Sequence, residues 1–407
     1  MVMLNGYQQF IGRHWETGSV CNYYAYRGLQ APHTGQPYSE ALLLGISGGI
    51  VMSYFSFAYQ GYDPHVAILT RNTFDPLNTL LQRLGVEQEI LHTSIPEKGV
   101  ANLVHTLENG LPAITWVDIF SLPYLELPND DDMYLMYPVV VYGYDPQADL
   151  VWIADRARVP LTITTGQLAT ARARVKKDKF RVLTLSDPHA RKLPAAVRSG
   201  IRDTLQLFTE KPPRGTRDNF GFGAYQHWRE LLMNPRARNS WANVFPPGRA
   251  MLAGLTSAFS ATLHNGEDDG AERSTYAAFL EEASLILKKP ALLDAAARFR
   301  SSAQAWQGLG CALLPDDVPT FGQIRALLRQ RRDRFYTQGA AAQAEIAALN
   351  HQIRALKTEI GVNFPLEGDT LKQFIEHLRD QIQVVQDVER QAVDALQAAM
   401  RDDKEET

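Results

Sequence analysis

Apolar residues fall in short runs through the first half of the chain and at three-to-four spacing through the second, with the change near Ser186-Asp187-Pro188. The runs Val66 to Leu69, Ala113 to Val117, Pro138 to Tyr142, Leu150 to Ala154 and Phe180 to Leu185 predict strands. Asp145-Pro146-Gln147 joins two of them in the manner of a hairpin turn. Leu77 to Leu84 has helical spacing and stops at Gly85. Thr17 to Gly28 reads as a short helix, with Thr17 its cap and Gly28 its terminator. Ser39 to Tyr59 reads as a second helical stretch interrupted at Gly45 to Gly49. Residues 1–190 are therefore expected to form an α+β domain around a mainly antiparallel sheet.

From Ala195 to Met400 helical periodicity is nearly continuous, broken at Pro212-Pro213, Phe245 to Gly248, Asn265 to Gly270 and Pro315-Asp316-Asp317. An all-α domain over 191–407 follows. Its last part places Ile346, Leu349, Ile353, Leu356 and Ile360, then Leu371, Phe374, Leu378, Ile382 and Val385, on two stripes. An antiparallel hairpin of helices joined through Gly361 to Asp369 accounts for them. The same stripes suit either packing within the chain or the seam of a homodimer.

Composition narrows the function classes. The 41 Lys+Arg against 45 Asp+Glu leave a net charge of −4, so no nucleic-acid partner is expected. The basic run Arg172 to Lys179 reads as a solvated helix end. Two cysteines, no leader pattern and no long apolar run point to a cytoplasmic protein without a membrane partner. Contiguous carboxylates such as Asn129-Asp130-Asp131-Asp132 point in different directions, and none of the ten histidines has metal-ligand spacing. Neither a metal nor another cofactor is expected. Gly45-Ile46-Ser47-Gly48-Gly49 lacks the Gly-Lys-Ser/Thr ending of a phosphate loop and reads as close backbone packing.

One ordered series of motifs carries chemistry. His14-Trp15-Glu16-Thr17-Gly18-Ser19-Val20 opens the first helix, and Ser39-Glu40 precedes the Gly-rich stretch. Tyr137-Pro138-Val139-Val140-Val141-Tyr142-Gly143-Tyr144-Asp145 is followed by Val151-Trp152-Ile153-Ala154-Asp155. In this order the series resembles the butirosin-biosynthesis protein H N-terminal family. The helical region, through Asn219-Phe220-Gly221, Tyr276 to Ala283 and Ala305-Trp306, resembles the helical domain attached to it. The resemblance implies a papain-like, cysteine-peptidase or acyltransferase type of α+β domain. It also implies transfer of an aminoacyl group from the thioester of an acyl carrier protein to an amine. The family pattern has Cys where this chain has Trp15 and His where it has Tyr137, while Asp155 is kept.

Two readings follow. Thiolate catalysis needs a Cys at the helix start and an imidazole in reach, and both are gone. The cleft then serves recognition of a small amine or acyl ligand or of the carrier, with Trp15 as a stacking platform. Alternatively, direct aminolysis survives through orientation, with His14 as base and Asp155 positioning it. In either reading Glu16, Thr17 and Ser19 ring the helix start, where a polar ligand is favoured, and Tyr137 faces them. Asp118, at a strand end, either holds a substrate amine or caps a turn. Cys21 lies more than one turn into the helix, beyond the reach of its terminus, and reads as a buried structural thiol.

Overall fold

A computed structural model describes residues 1–128, 133–210, 218–263 and 266–401. Asn129 to Asp132, Pro212-Pro213 and Asn265 lie outside the described residues. In chain order the elements are β1 Val2–Met3, α1 Trp15–Tyr26, α2 Glu40–Ile46, β2 Ile50–Phe57, β3 His65–Arg71 and α3 Pro76–Leu84. Then come β4 Gln88–Leu91, α4 Pro96–Glu108, β5 Ala113–Asp118, β6 Met136–Asp145, β7 Leu150–Ala154, β8 Leu161–Ile163, α5 Thr165–Ala173 and β9 Val182–Leu185. The helices that follow are α6 Leu193–Thr209, α7 Gly221–Met233, α8 Trp241–Val244, α9 Arg249–Thr262, α10 Arg273–Leu287 and α11 Leu292–Leu313. The last three are α12 Pro319–Gln338, α13 Gln343–Val362 and α14 Gly368–Ala399. Among the described residues no helix is long and apolar enough to cross a membrane.

The chain forms two units that interleave along the sequence. The first takes residues 1–43, 77–193 and 329–351, and the second takes 44–76, 194–328 and 352–407. The division is thus not the linear one expected at 190. Residues 44–76 join the helices, and residues 329–351 join the sheet.

The first unit holds a seven-stranded antiparallel sheet in the order β4-β9-β5-β6-β7-β8, with β1 also paired to β6. β6 is central because its run of valines and tyrosines suits a strand covered on both faces, and residues 138–144 are all buried. Its hairpin to β7 turns where expected, with Asp145 Oδ1 accepting from the amides of Gln147 and Ala148 at 3.0 and 3.2 Å. α1, α4 and α5 pack against the sheet. Four of the five expected strand runs lie wholly in strands, β3 being the one that falls in the other unit, and the fifth becomes strand only at Val182 because Phe180 is in a turn with φ of +51°.

Two expectations need correction. The stretch from Ser39 to Tyr59 is not helical throughout: α2 ends at Ile46, Gly48 and Gly49 adopt φ of +118° and +68°, and the chain leaves as strand β2. The run Ile-Val-Met-Ser-Tyr-Phe-Ser-Phe is β-branched and aromatic, and it pairs with β3 from Ile50 opposite Arg71 to Phe57 opposite His65. Nor is α13 the main partner of α14. The α14 stripe of Phe374, Leu378, Ile382, Val385 and Leu396 is buried inside the second unit, where α14 packs on α11 and α7.

In the second unit the β2–β3 hairpin is covered by α7 and α9, and α10 and α14 flank α11. Its core contains charge. Arg273 and Glu389 are both fully buried and paired, Nε to Oε1 at 2.6 Å. Glu389 also accepts from the Tyr225 hydroxyl and from Ser302 Oγ at 3.2 Å. The rest of the Arg273 fork donates to the carbonyls of Thr70 and Ala271 at 2.9 and 2.7 Å and of Val51 at 2.9 Å. A second buried pair, Arg71 with Glu272, adjoins it in sequence, and Thr70 Oγ1 donates to Glu272 at 2.5 Å. Burial works against the charge on Arg273, but Glu389 and Tyr225 more than offset it, and its pKa is raised.

Candidate functional site

The start of α1 is held by two side chains. Asn22, buried about two turns into the helix, accepts the amides of Ile11 and Gly12 on Oδ1 at 3.1 Å each. Glu40, first residue of α2, accepts the amides of Arg13 and His14 at 2.6 and 2.8 Å and the Thr17 hydroxyl at 2.9 Å. A carboxylate is electrostatically favoured there. Gly12 and Gly18 touch backbone to backbone, so that a Cβ on Gly12 would lie 2.5 Å from the Gly18 Cα. The loop 11–14 is thereby fixed against α1.

The cap is His14 and not Thr17. His14 is extended (φ −116°, ψ 147°), and its Nδ1 accepts the Glu16 amide at 3.3 Å. Imidazole satisfies one of the orphan donors that a Ser or Thr would ordinarily take. Thr17 instead turns its hydroxyl to Glu40. Ser19 is buried and donates to the Pro138 carbonyl at 3.4 Å, tying α1 to β6.

Trp15, the first residue of α1, lies flat on Tyr137, with ring centroids 3.9 Å apart and planes 8° from parallel. The Arg156 guanidinium lies 3.9 Å from the Trp15 ring and 5.2 Å from that of Phe335. Arg156 is paired with Asp155, Nε to Oδ1 at 3.1 Å and Nη2 to Oδ2 at 3.4 Å, and the Tyr124 hydroxyl donates to Asp155 Oδ2 at 3.4 Å. The Trp15 Nε1 donor is buried without an acceptor. Burial, then the Glu16 carboxylate, push the Tyr137 phenol up, with Arg156 opposing. Burial also pushes Tyr124 well above the phenol range, helped by Asp155. Burial disfavours the charge on Arg156, but Asp155 and Tyr336 outweigh it and its pKa is raised.

His14, Trp15, Glu16, Tyr137 and Asp155 are thus brought together, with Asp155 reaching the group through Arg156. Thr17 and Ser19 lie alongside, each committed to another partner. Asp118 belongs elsewhere. Val117 is the residue opposite Tyr137, so Asp118, one step along, projects from the other face of the sheet. Its carboxylate accepts from Ser121 Oγ at 2.9 Å, the Leu135 amide at 3.0 Å and Arg174 Nε at 2.7 Å, which is the turn-holding alternative. Sequence reasoning missed Arg156, Tyr124, Phe335 and Tyr336. The Arg-rich segment Arg329 to Arg334 was the available signal, but nothing in its spacing ties it to residues some 300 positions earlier.

Cys21 is buried, its thiol donating to the Tyr38 carbonyl at 3.2 Å, whereas Cys311 is exposed, and neither is in a disulfide. Under native conditions a maleimide is expected to label one thiol per chain, Cys311, and the second only after denaturation, as counted by intact mass. Labelling of Cys21 in the folded chain would contradict its burial. Among the described residues no group of three His, Cys, Asp or Glu side chains is disposed to hold a metal ion.

The fold and site define a class: a mixed α/β domain whose antiparallel sheet presents a strand-borne side chain to the N-terminus of one helix. Residues 14–156 match the family model described as Butirosin biosynthesis protein H, N-terminal. The match begins on His14 and ends on Arg156, so both its borders fall in the Trp15 cluster. No curated protein matches the chain.

Proposed function

We propose that the first unit is a papain-like acyltransferase scaffold that has lost covalent chemistry and binds an aminoacyl thioester or its amine partner beside Trp15. The observation that carries this reading is the Trp15–Tyr137 stack closed by Arg156. The two positions at which the family pattern has a thiol and an imidazole hold instead a self-complementary pair of rings and a cation. Such a surface binds planar and polar groups by stacking and cation–π attraction but offers no nucleophile. Asp155, which would orient an imidazole, is engaged by Arg156.

The alternative, aminolysis with His14 as base, is less well supported. An Nδ1 that accepts an amide proton leaves the neutral ring's own proton on Nε2, so His14 has no free lone pair while it caps α1. A biosynthetic role beside an acyl carrier protein fits the family, the carrier being the source of the thioester.

An aminoacyl N-acetylcysteamine thioester is the probe. Isothermal titration is expected to show reversible binding that weakens about tenfold or more in Trp15→Ala, the loss of one well-placed aromatic contact. Mass spectrometry is expected to show no acyl adduct. An adduct on any native residue overturns the reading, and turnover without adduct that collapses in His14→Ala establishes aminolysis in its place.

A further inference from the structure

Within the first unit, guanidinium groups crowd around one ring. Arg332 lies 4.3 Å from the centre of the Tyr336 ring and Arg13 lies 6.0 Å from it. The amide of Arg158 donates to the Tyr336 carbonyl at 2.8 Å, and the Arg158 guanidinium is near enough to Arg13 for the two cations to repel. The nearby acids are largely spent. Both oxygens of Glu40 hold the loop before α1, and Asp155 holds Arg156. The remaining carboxylate contact of Arg332 is Asp333 at 3.9 Å, the limit of an ion pair, and Asp333 is 71% exposed. Among the described residues the Arg13 guanidinium donates to the carbonyls of Gly12 and Arg156 at 3.5 and 3.3 Å.

Like charges gathered this way repel. Burial first, then the Arg158 and Arg332 cations, hold the Arg13 guanidinium below its usual range, with Glu40 and Tyr336 opposing. Chains tolerate such crowding where an oxyanion relieves it. A guanidinium stacked on a ring keeps its N–H edge free for bidentate bonds, a geometry that suits phosphate oxygens.

We infer that Arg13, Arg158 and Arg332 form a recognition site for a phosphate group, set beside the Trp15 cluster by the loop 11–14. Arg13 belongs to both, because it precedes the His14 cap and donates to the carbonyl of the Arg156 that stacks on Trp15. The inference rests on the proposed function only for what the phosphate is attached to, which on that reading is the pantetheine arm of a thioester donor.

Titration calorimetry on the full chain at low ionic strength tests it with three probes: inorganic pyrophosphate, coenzyme A and phosphate-free pantetheine. Pyrophosphate binding is expected to weaken about tenfold or more in Arg158→Gln and further in Arg158→Gln/Arg332→Gln, and to weaken with added salt. Arg158 is exposed, so its single variant remains informative if the double variant unfolds, which circular dichroism reports. Coenzyme A binding more tightly than pantetheine, with the advantage lost in the variants, places the phosphate on a thiol-bearing arm. Pyrophosphate binding without that advantage assigns the site to a free oxyanion. Equal pyrophosphate affinity in wild type and Arg158→Gln, or no binding to wild type, overturns the site. Failure of the aminoacyl thioester to bind while pyrophosphate still does would remove the functional reading and leave the site standing.

Discussion

Glu389→Ala is expected to destabilise the second unit by about 3–5 kcal/mol, the usual cost of breaking a buried ion pair from one side. The substitution strips Arg273 of the carboxylate it is paired with. It leaves that cation, 0% exposed, among the carbonyls of Thr70, Ala271 and Val51. It also leaves the Tyr225 and Ser302 hydroxyls without their acceptor. Arg273→Ala should cost as much, because Glu389 would then be the buried orphan. The double change Arg273→Met/Glu389→Leu should cost far less than the sum, since apolar groups of similar volume need no partner. Urea unfolding followed by tryptophan fluorescence measures all three. A loss under about 1 kcal/mol in Glu389→Ala would place the pair in the range of exposed ion pairs and contradict its burial.

The other large effect concerns the first unit. Trp15→Cys/Tyr137→His is expected to create a thiol that alkylates on the order of tenfold faster at neutral pH than a small-molecule thiol of ordinary pKa, because a thiol pKa near 7 in place of about 8.5 raises the thiolate fraction by about that factor. Two features of the site lower that pKa. The position is the first of α1, where the helix's first amides concentrate positive potential. Arg156, now 3.9 Å from the Trp15 ring, would face the sulfur. Iodoacetamide rates across pH, measured with Cys311→Ser as background, give the midpoint. A midpoint at or above the ordinary thiol value would mean that more than the Cys–His pair has been lost from the scaffold.

Much of this architecture can be read from sequence where burial imposes a period. The valine-rich β6 and the helical stripe of α14 are clear because each must cover a face along its whole length. The reading failed where local pattern was ambiguous or the partner was remote. Ile50 to Phe57 continues the apolar character of α2, and only the two positive-φ glycines before it divide helix from strand. The α14 stripe demands a partner but does not say which, and α11 is no more apolar than α13 by spacing alone. His14, Trp15, Tyr137 and Asp155 were found because they lie in ordered motifs. The assignment of Thr17 as cap followed the general preference for hydroxyls, which His14 overrides by being placed one residue before the helix. Asp118 sits one residue off the face of Tyr137, a parity that the strand register fixes and the motif does not.

The interleaved order of the first unit has a consequence for the newly made chain. All of the sheet strands are available once residue 193 has been synthesised, yet Phe335 and Tyr336, which flank Arg156, lie in the segment 329–351. At about 5–20 residues per second, roughly 8–30 s of translation separate the two. Throughout that interval Arg156 has Trp15 and Asp155 but not its third neighbour, and the ring around which Arg13 and Arg332 gather has not yet been made. A chain truncated after residue 193 and released should therefore hold all the sheet strands without a finished phosphate site, so the order of synthesis itself would set when this protein first becomes able to bind an anion.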